Sequence, residues 1–130
     1  MANSMVEGEL VLAVDFDGTI TTNPDMDPSQ DLVLREECKR VLERLADDGC
    51  RLILWTCRTG DSLEEAKRFL EEQGLLYVFC SFNKQLPEVL DKYHPDVAEK
   101  VGADFYIDDK SLMGGPIDWL KIEETIYGEE

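Results

Sequence analysis

The chain has 130 residues, 43% of them hydrophobic, enough for one domain whose core needs no disulfide or structural metal. Its 29 acidic residues against 13 basic ones give a net charge of −16, without the basic stripe that a nucleic-acid groove requires. No apolar run is long enough to span a bilayer, and Met1–Glu9 lacks the basic flank and apolar core of a secretory signal, so the expected setting is cytoplasmic, with no membrane or nucleic-acid partner.

Residues 1–9 read as a flexible lead-in, and residues 10–130 as a single domain. The run Leu10-Val11-Leu12-Ala13-Val14 has the character of a strand buried on both faces, as in a parallel sheet. It stops at Asp15-Phe16-Asp17-Gly18-Thr19. On a strand, residues i and i+2 face the same side, so Asp15 and Asp17 enter the loop pointing one way. Adjacent carboxylates repel unless a proton or a cation joins them, and a hard, oxygen-liking cation such as Mg²⁺ is the simplest solution. Gly18 permits a sharp turn beside them.

Thr21 to Asp31 is polar and broken by Pro24 and Pro28, a loop placed to cover the carboxylates in part. From Leu34 a helical stripe of Leu34, Cys38, Val41, Leu42 and Leu45 leads to a stop at Gly49. Leu52 to Trp55 is the second strand, running into Thr56-Cys57-Arg58. Ser62-Leu63-Glu64-Glu65 matches a capping box and opens a helix that ends at Gly74. Leu75 to Ser81 reads as the third strand, followed by Phe82-Asn83-Lys84. Leu86, Val89, Leu90 and Tyr93 form a helix stopped by His94-Pro95, and Asp96 to Lys100 is a short turn. Phe105 to Ile107 is the fourth strand, ending in Asp108-Asp109, and a last helix runs over 117–127 with Pro116 suited to its first turn.

Strand and helix alternate without hairpin signals, which predicts an open parallel sheet with helices on both faces, a Rossmann-like α/β fold. Every strand of such a sheet points its carboxyl end at one edge, where ligands bind. That edge would collect Asp15, Asp17, Thr56, Lys84, Asp108 and Asp109. Together they offer a nucleophile, a cation site, a hydroxyl with neighbouring backbone N–H groups, an ammonium and a proton shuttle, the set that phosphoryl transfer requires. The cysteines Cys38, Cys50, Cys57 and Cys80 form no Cys-x-x-Cys pair and His94 is the one histidine, which disfavours structural zinc and a thiol or serine nucleophile. Three of the four cysteines sit in apolar sequence, as reduced thiols do.

With Asp15-Phe16-Asp17-Gly18-Thr19, Leu54-Trp55-Thr56, Lys84 and Ile107-Asp108-Asp109, the chain from about Leu10 to Ser111 resembles the haloacid dehalogenase superfamily, most of whose members are Mg²⁺-dependent phosphatases. The resemblance implies a phosphomonoester hydrolase in which Asp15 forms an aspartyl-phosphate and Asp17 is the acid and base. Thr56, Cys57 and Lys84 would surround the phosphoryl oxygens. Asp15, the backbone carbonyl of Asp17, and Asp108 would hold Mg²⁺, with Asp109 behind them. Lys84 is preferred to Lys100, which a strand of roughly 15 Å would carry to the opposite edge; Lys110 is a third choice. Family members with caps insert them after the first or third strand, and here neither location has room for one. An open site either accepts large substrates or borrows a lid from a neighbouring subunit, and Trp55, Trp119 and Tyr127 are better explained by their own core. The expected partner is a phosphorylated small molecule, from sugar phosphates to nucleotides; phosphoproteins also remain open, and polyanions suit the acidic surface least. The alternative is a non-catalytic or signalling phospho-acceptor domain of related architecture. A receiver domain, however, closes its third strand with the acceptor Asp, and this chain closes it with Asn83-Lys84.

Overall fold

The strands align in the order β3-β2-β1-β4, all parallel, in the computed structural model, which describes residues 9–93, 96 and 98–128. They are β1 (Val11–Val14), β2 (Arg51–Leu54), β3 (Phe79–Phe82) and β4 (Phe105–Ile107). The helices are α1 (Cys38–Asp47), α2 (Gly60–Glu72), α3 (Pro87–Tyr93) and α4 (Trp119–Tyr127). This is the open α/β sheet expected, and no cap domain interrupts it among the described residues. The chain steps outward from β1 to β2 to β3, then returns to place β4 on the other side of β1. That reversal puts the topological switch point at the carboxyl ends of β1 and β4, where open α/β sheets open a crevice.

Alternation along the strands divides the core. Leu12, Val14, Leu52 and Leu54 face α1, α2 and α4 in the larger cluster, with Phe16, Phe69, Leu70 and Trp119. Ala13 and Ile53 face the other way, onto Leu86 and Val101 with Val89 of α3. Helices therefore cover both faces, unevenly. Each fully buried Leu contributes about 2 kcal/mol of burial, so the larger face carries most of the stability. A polar staple closes α1 onto α4: buried Glu123 accepts from Arg40 Nη1 and Nη2 at 2.8 Å and from Arg44 Nη1 at 2.9 Å.

Several boundaries differ from the sequence reading, for local reasons. Leu34 does not begin α1. It bridges antiparallel to Thr21, while Thr22 N–H donates to Val33 carbonyl and Arg35 N–H to Ile20 carbonyl, holding the segment extended. Glu37, at φ 66°, then turns the chain into the helix at Cys38. The third apolar run splits into a 3₁₀ turn over Leu76–Val78 and the strand Phe79–Phe82. Helix α2 starts earlier than Ser62, capped at Thr59, whose N–H donates to the Ser62 hydroxyl. Pro116 lies outside the last helix, because Asp118 caps it by accepting from the N–H groups of Leu120 and Lys121. Cys38 and Cys50 are buried and burial pushes the Cys38 thiol up to about 12, whereas Cys57 and Cys80 are exposed, so two rather than three thiols are sheltered. The lead-in over residues 1–8 and the helix stop at His94-Pro95 lie outside the described residues. No described helix is long and apolar enough to cross a membrane.

Candidate active site

The switch point is built by keeping β1 and β4 paired to their last residues. Asp15 N–H donates to Ile107 carbonyl at 2.9 Å, so the acidic ends of the two strands emerge side by side. Beyond Asp15 the chain winds around one carbonyl: Phe16 O accepts from the N–H groups of Thr19, Ile20 and Thr21. Phe16 itself is fully buried and packs edge-on against Phe69, which anchors the turn. Gly18 adopts φ +76°, and a Cβ there would stand 2.1 Å from Asp109 Oδ2. Glycine is required twice over, for the left-handed backbone and for the approach of that carboxylate. Trp119 Nε1 and Arg35 Nε hold the turn from outside by donating to the carbonyls of Thr19 and Gly18.

One oxygen from each of Asp15, Asp108 and Asp109 lies within 4.8 Å of the others. The fully buried Thr19 ties two of them together: its hydroxyl donates to Asp15 Oδ2 at 3.3 Å and accepts from Asp109 N–H at 3.1 Å. Asp108 Oδ1 accepts from Lys110 N–H at 2.8 Å. Two full charges at such a spacing repel by about 3 kcal/mol at an effective dielectric of 20. Burial, and next the negative charge of Asp108, lift the Asp15 carboxyl from its usual range to about 7. Asp109 Oδ1 is buried and finds no protein donor among the described residues. A buried acceptor without a donor, inside a set of oxygen-only ligands, fits a hard divalent cation.

The Asp17 carboxylate points elsewhere. Arg58, 2% exposed, donates to both its oxygens, Nε to Oδ2 at 2.9 Å and Nη2 to Oδ1 at 2.8 Å. The remaining Nη1 donates to Ser62 carbonyl at 3.0 Å and Glu65 Oε1 at 2.9 Å. The loop that carries Arg58 is shaped by Asn83, which follows β3 with φ 56°, a conformation asparagine tolerates. Asn83 Oδ1 accepts from Thr56 N–H at 2.7 Å, and its Nδ2 donates to Arg58 carbonyl at 2.9 Å. Thr56 N–H is thus engaged within the protein, and Thr56 Oγ1 accepts from Arg58 N–H at 3.2 Å. Among the described residues, no hydrogen bond engages the Thr56 hydroxyl as donor or the Cys57 N–H, and the Cys57 side chain is exposed.

Of the expected residues, Asp15 and Asp108 come together, and Asp109 joins them with its carboxylate inside the cluster. Lys84 follows β3 at the carboxyl edge, but it is exposed, and among the described residues no ion pair joins it to the acids. The Lys100 carbonyl accepts from Gln85 Nε2 at 3.2 Å, beside the smaller core that Leu86 and Val101 share. Its ammonium sits over the Tyr106 ring. The ammonium beside the cluster is that of Lys110, 3.9 Å from Asp109 Oδ2 and largely exposed. Sequence reasoning missed Thr19, Arg58 and Asn83. The one available signal was an arginine directly behind a strand end, which periodicity does not interpret.

No family model matches the sequence, and no curated protein does. A solved structure does: a conserved protein coded by a locus of Bacteroides thetaiotaomicron, at 34% identity and a TM-score of 0.76. The match covers 92% of this chain and 90% of that one.

Proposed function

We propose that this chain, which belongs to the same family as the Bacteroides thetaiotaomicron conserved protein, is a Mg²⁺-dependent phosphomonoester hydrolase of the haloacid dehalogenase type. The single observation that carries the reading is the carboxylate cluster of Asp15, Asp108 and Asp109 at the switch point of the sheet, with the loop of Thr56 following the neighbouring strand β2. Asp15, Asp108 and the backbone carbonyl of Asp17 would hold Mg²⁺, with Asp109 beside them. The bound ion supplies positive charge against phosphoryl oxygens.

In the reaction Asp15 attacks phosphorus and the bond from phosphorus to the ester oxygen breaks. That oxygen takes a proton from Asp17, which leaves an alcohol, an aspartyl-phosphate on Asp15 and an ionised Asp17. Water then gives its proton to Asp17 while its oxygen attacks phosphorus. The bond from phosphorus to the Asp15 oxygen breaks with its electrons returning to Asp15, orthophosphate departs and Asp17 is again protonated. Thr56 hydroxyl and Cys57 N–H serve the phosphoryl oxygens, and Lys84 or Lys110 supplies the ammonium. The test is a panel of phosphate esters with Mg²⁺, Mn²⁺ or Co²⁺. Turnover that Asp15→Asn abolishes is expected, and a panel without turnover above background refutes the enzyme.

A further inference from the structure

Arg58 carries more contacts than a surface arginine needs, and all of them lie between the elements of the site. It has a nearly fully buried guanidinium fastened to Asp17 by a two-point fork, 41 residues away in sequence. A fork of this geometry fixes the plane of a carboxylate as well as its position, which a single lysine bond does not. The guanidinium is itself fixed by Ser62 carbonyl and Glu65 on α2, and it lies against the Phe16 ring at 5.0 Å. The Arg58 backbone is fixed as firmly, by Thr56 Oγ1 on its N–H and Asn83 Nδ2 on its carbonyl. Strand ends β1, β2 and β3 therefore meet at one residue, β3 through its backbone, and what its side chain aligns is Asp17.

We infer that Arg58 is a positioning residue for the second half-reaction: it sets the ionised Asp17 carboxylate so that it receives the proton of the water attacking the aspartyl-phosphate. The inference rests on the hydrolase reading above. In this half-reaction the phosphorus–oxygen bond to Asp15 breaks, the new bond forms to water oxygen, and Asp17 gains the proton. Having given its proton to the leaving group in the first step, Asp17 meets the water already held by the fork. In the first half-reaction the same group has to carry a proton and release one oxygen from Arg58, so the fork serves that step less. Loss of Arg58 should therefore slow dephosphorylation more than phosphorylation when the leaving group is good enough to need no acid.

The experiment uses acetyl phosphate and Mg²⁺ with wild-type protein, Arg58→Gln and Arg58→Lys. It follows acetate release, phosphate release and the phosphorylated fraction of Asp15 by intact mass. The expected result for Arg58→Gln is a burst of acetate at the wild-type rate, then turnover slowed about a hundredfold, the scale of a misplaced catalytic group. The phosphorylated fraction of Asp15 during turnover is much larger in that variant than in wild type. Arg58→Lys, which keeps the charge without the fork, should recover the rate only in part. Equal slowing of acetate and phosphate release, without accumulation, overturns the inference and leaves Arg58 a structural residue. So does an unchanged Arg58→Gln. Circular dichroism and Mg²⁺-dependent thermal stabilisation verify that each variant is folded; if Arg58→Gln is not, the same comparison on Arg58→Lys decides. Wild type that neither labels nor turns over removes the hydrolase reading itself, and the inference with it.

Discussion

Gly18→Ala tests the geometry of the site from its tightest contact. At φ +76° an alanine backbone costs about 1–2 kcal/mol. The new Cβ would also stand 2.1 Å from Asp109 Oδ2, where ordinary contact begins at 3.4 Å, so the carboxylate has to withdraw by about 1.3 Å. Withdrawal breaks the bond from Asp109 N–H to Thr19 Oγ1 or strains it, about 1 kcal/mol more. The total expected is about 2–3 kcal/mol of stability, read from urea unfolding. Displacing a carboxylate from beside a cation lowers affinity roughly 10–100-fold, read from Mn²⁺ titration by calorimetry. Gly60→Ala is the control, since Gly60 also has positive φ, +52°, with nothing within 4 Å of the added Cβ. It should show the backbone cost alone and keep cation affinity. If Gly18→Ala matches Gly60→Ala in both measurements, Asp109 is not where the argument needs it.

Raising the pH from about 4 to 7 should destabilise the protein without divalent ions through Asp15. Its folded carboxyl titrates near 7 against an ordinary 3.8, so the folded state holds the proton more tightly and the advantage is lost as pH rises through the folded value. Mg²⁺ should therefore raise the melting temperature more at pH 8 than at pH 5.5, and a pH-independent shift would count against the cluster as its site. Glu123 behaves oppositely: hydrogen bonds from Arg40 first, then Arg44, hold its carboxyl down at about 2, so its contribution is present above about 4.5 and lost as pH falls toward 2. Because both arginines are substantially exposed, Glu123→Gln should cost only about 1–2 kcal/mol at pH 7, and that loss should vanish when unfolding is repeated near pH 2. For the ammonium, Lys84→Ala should lower kcat/KM about a hundredfold and Lys110→Ala only a few-fold; the reverse order assigns the role to Lys110.

What the sequence made readable was whatever is local. Leu10 to Val14 followed by Asp15 announces a buried strand with a charged end, because burial and charge change within one residue. Phe105 to Ile107 followed by Asp108-Asp109 does the same, and parallel order brings the two ends together. Leu34 misled because its spacing to Cys38 and Val41 is helical, whereas its backbone is committed to a bridge with Thr21, a partner that periodicity does not register. The fork between Arg58 and Asp17 was invisible for a related reason. A buried arginine is rare unless paired, and nothing in Thr56-Cys57-Arg58-Thr59 states that its partner stands 41 residues earlier. Thr19 looked like the end of a motif, yet its hydroxyl couples Asp15 to Asp109, which lies 90 residues beyond Thr19.

The central claim is that Asp15 becomes phosphorylated and is then freed by water. Borohydride trapping measures this directly, since it reduces an acyl-phosphate to an alcohol at the residue that carried it. Wild-type protein quenched during turnover of acetyl phosphate with Mg²⁺ should yield homoserine at position 15, and Asp15→Asn should yield none. Reduction at another carboxylate, or steady phosphate release with no trapped residue at all, would contradict the mechanism.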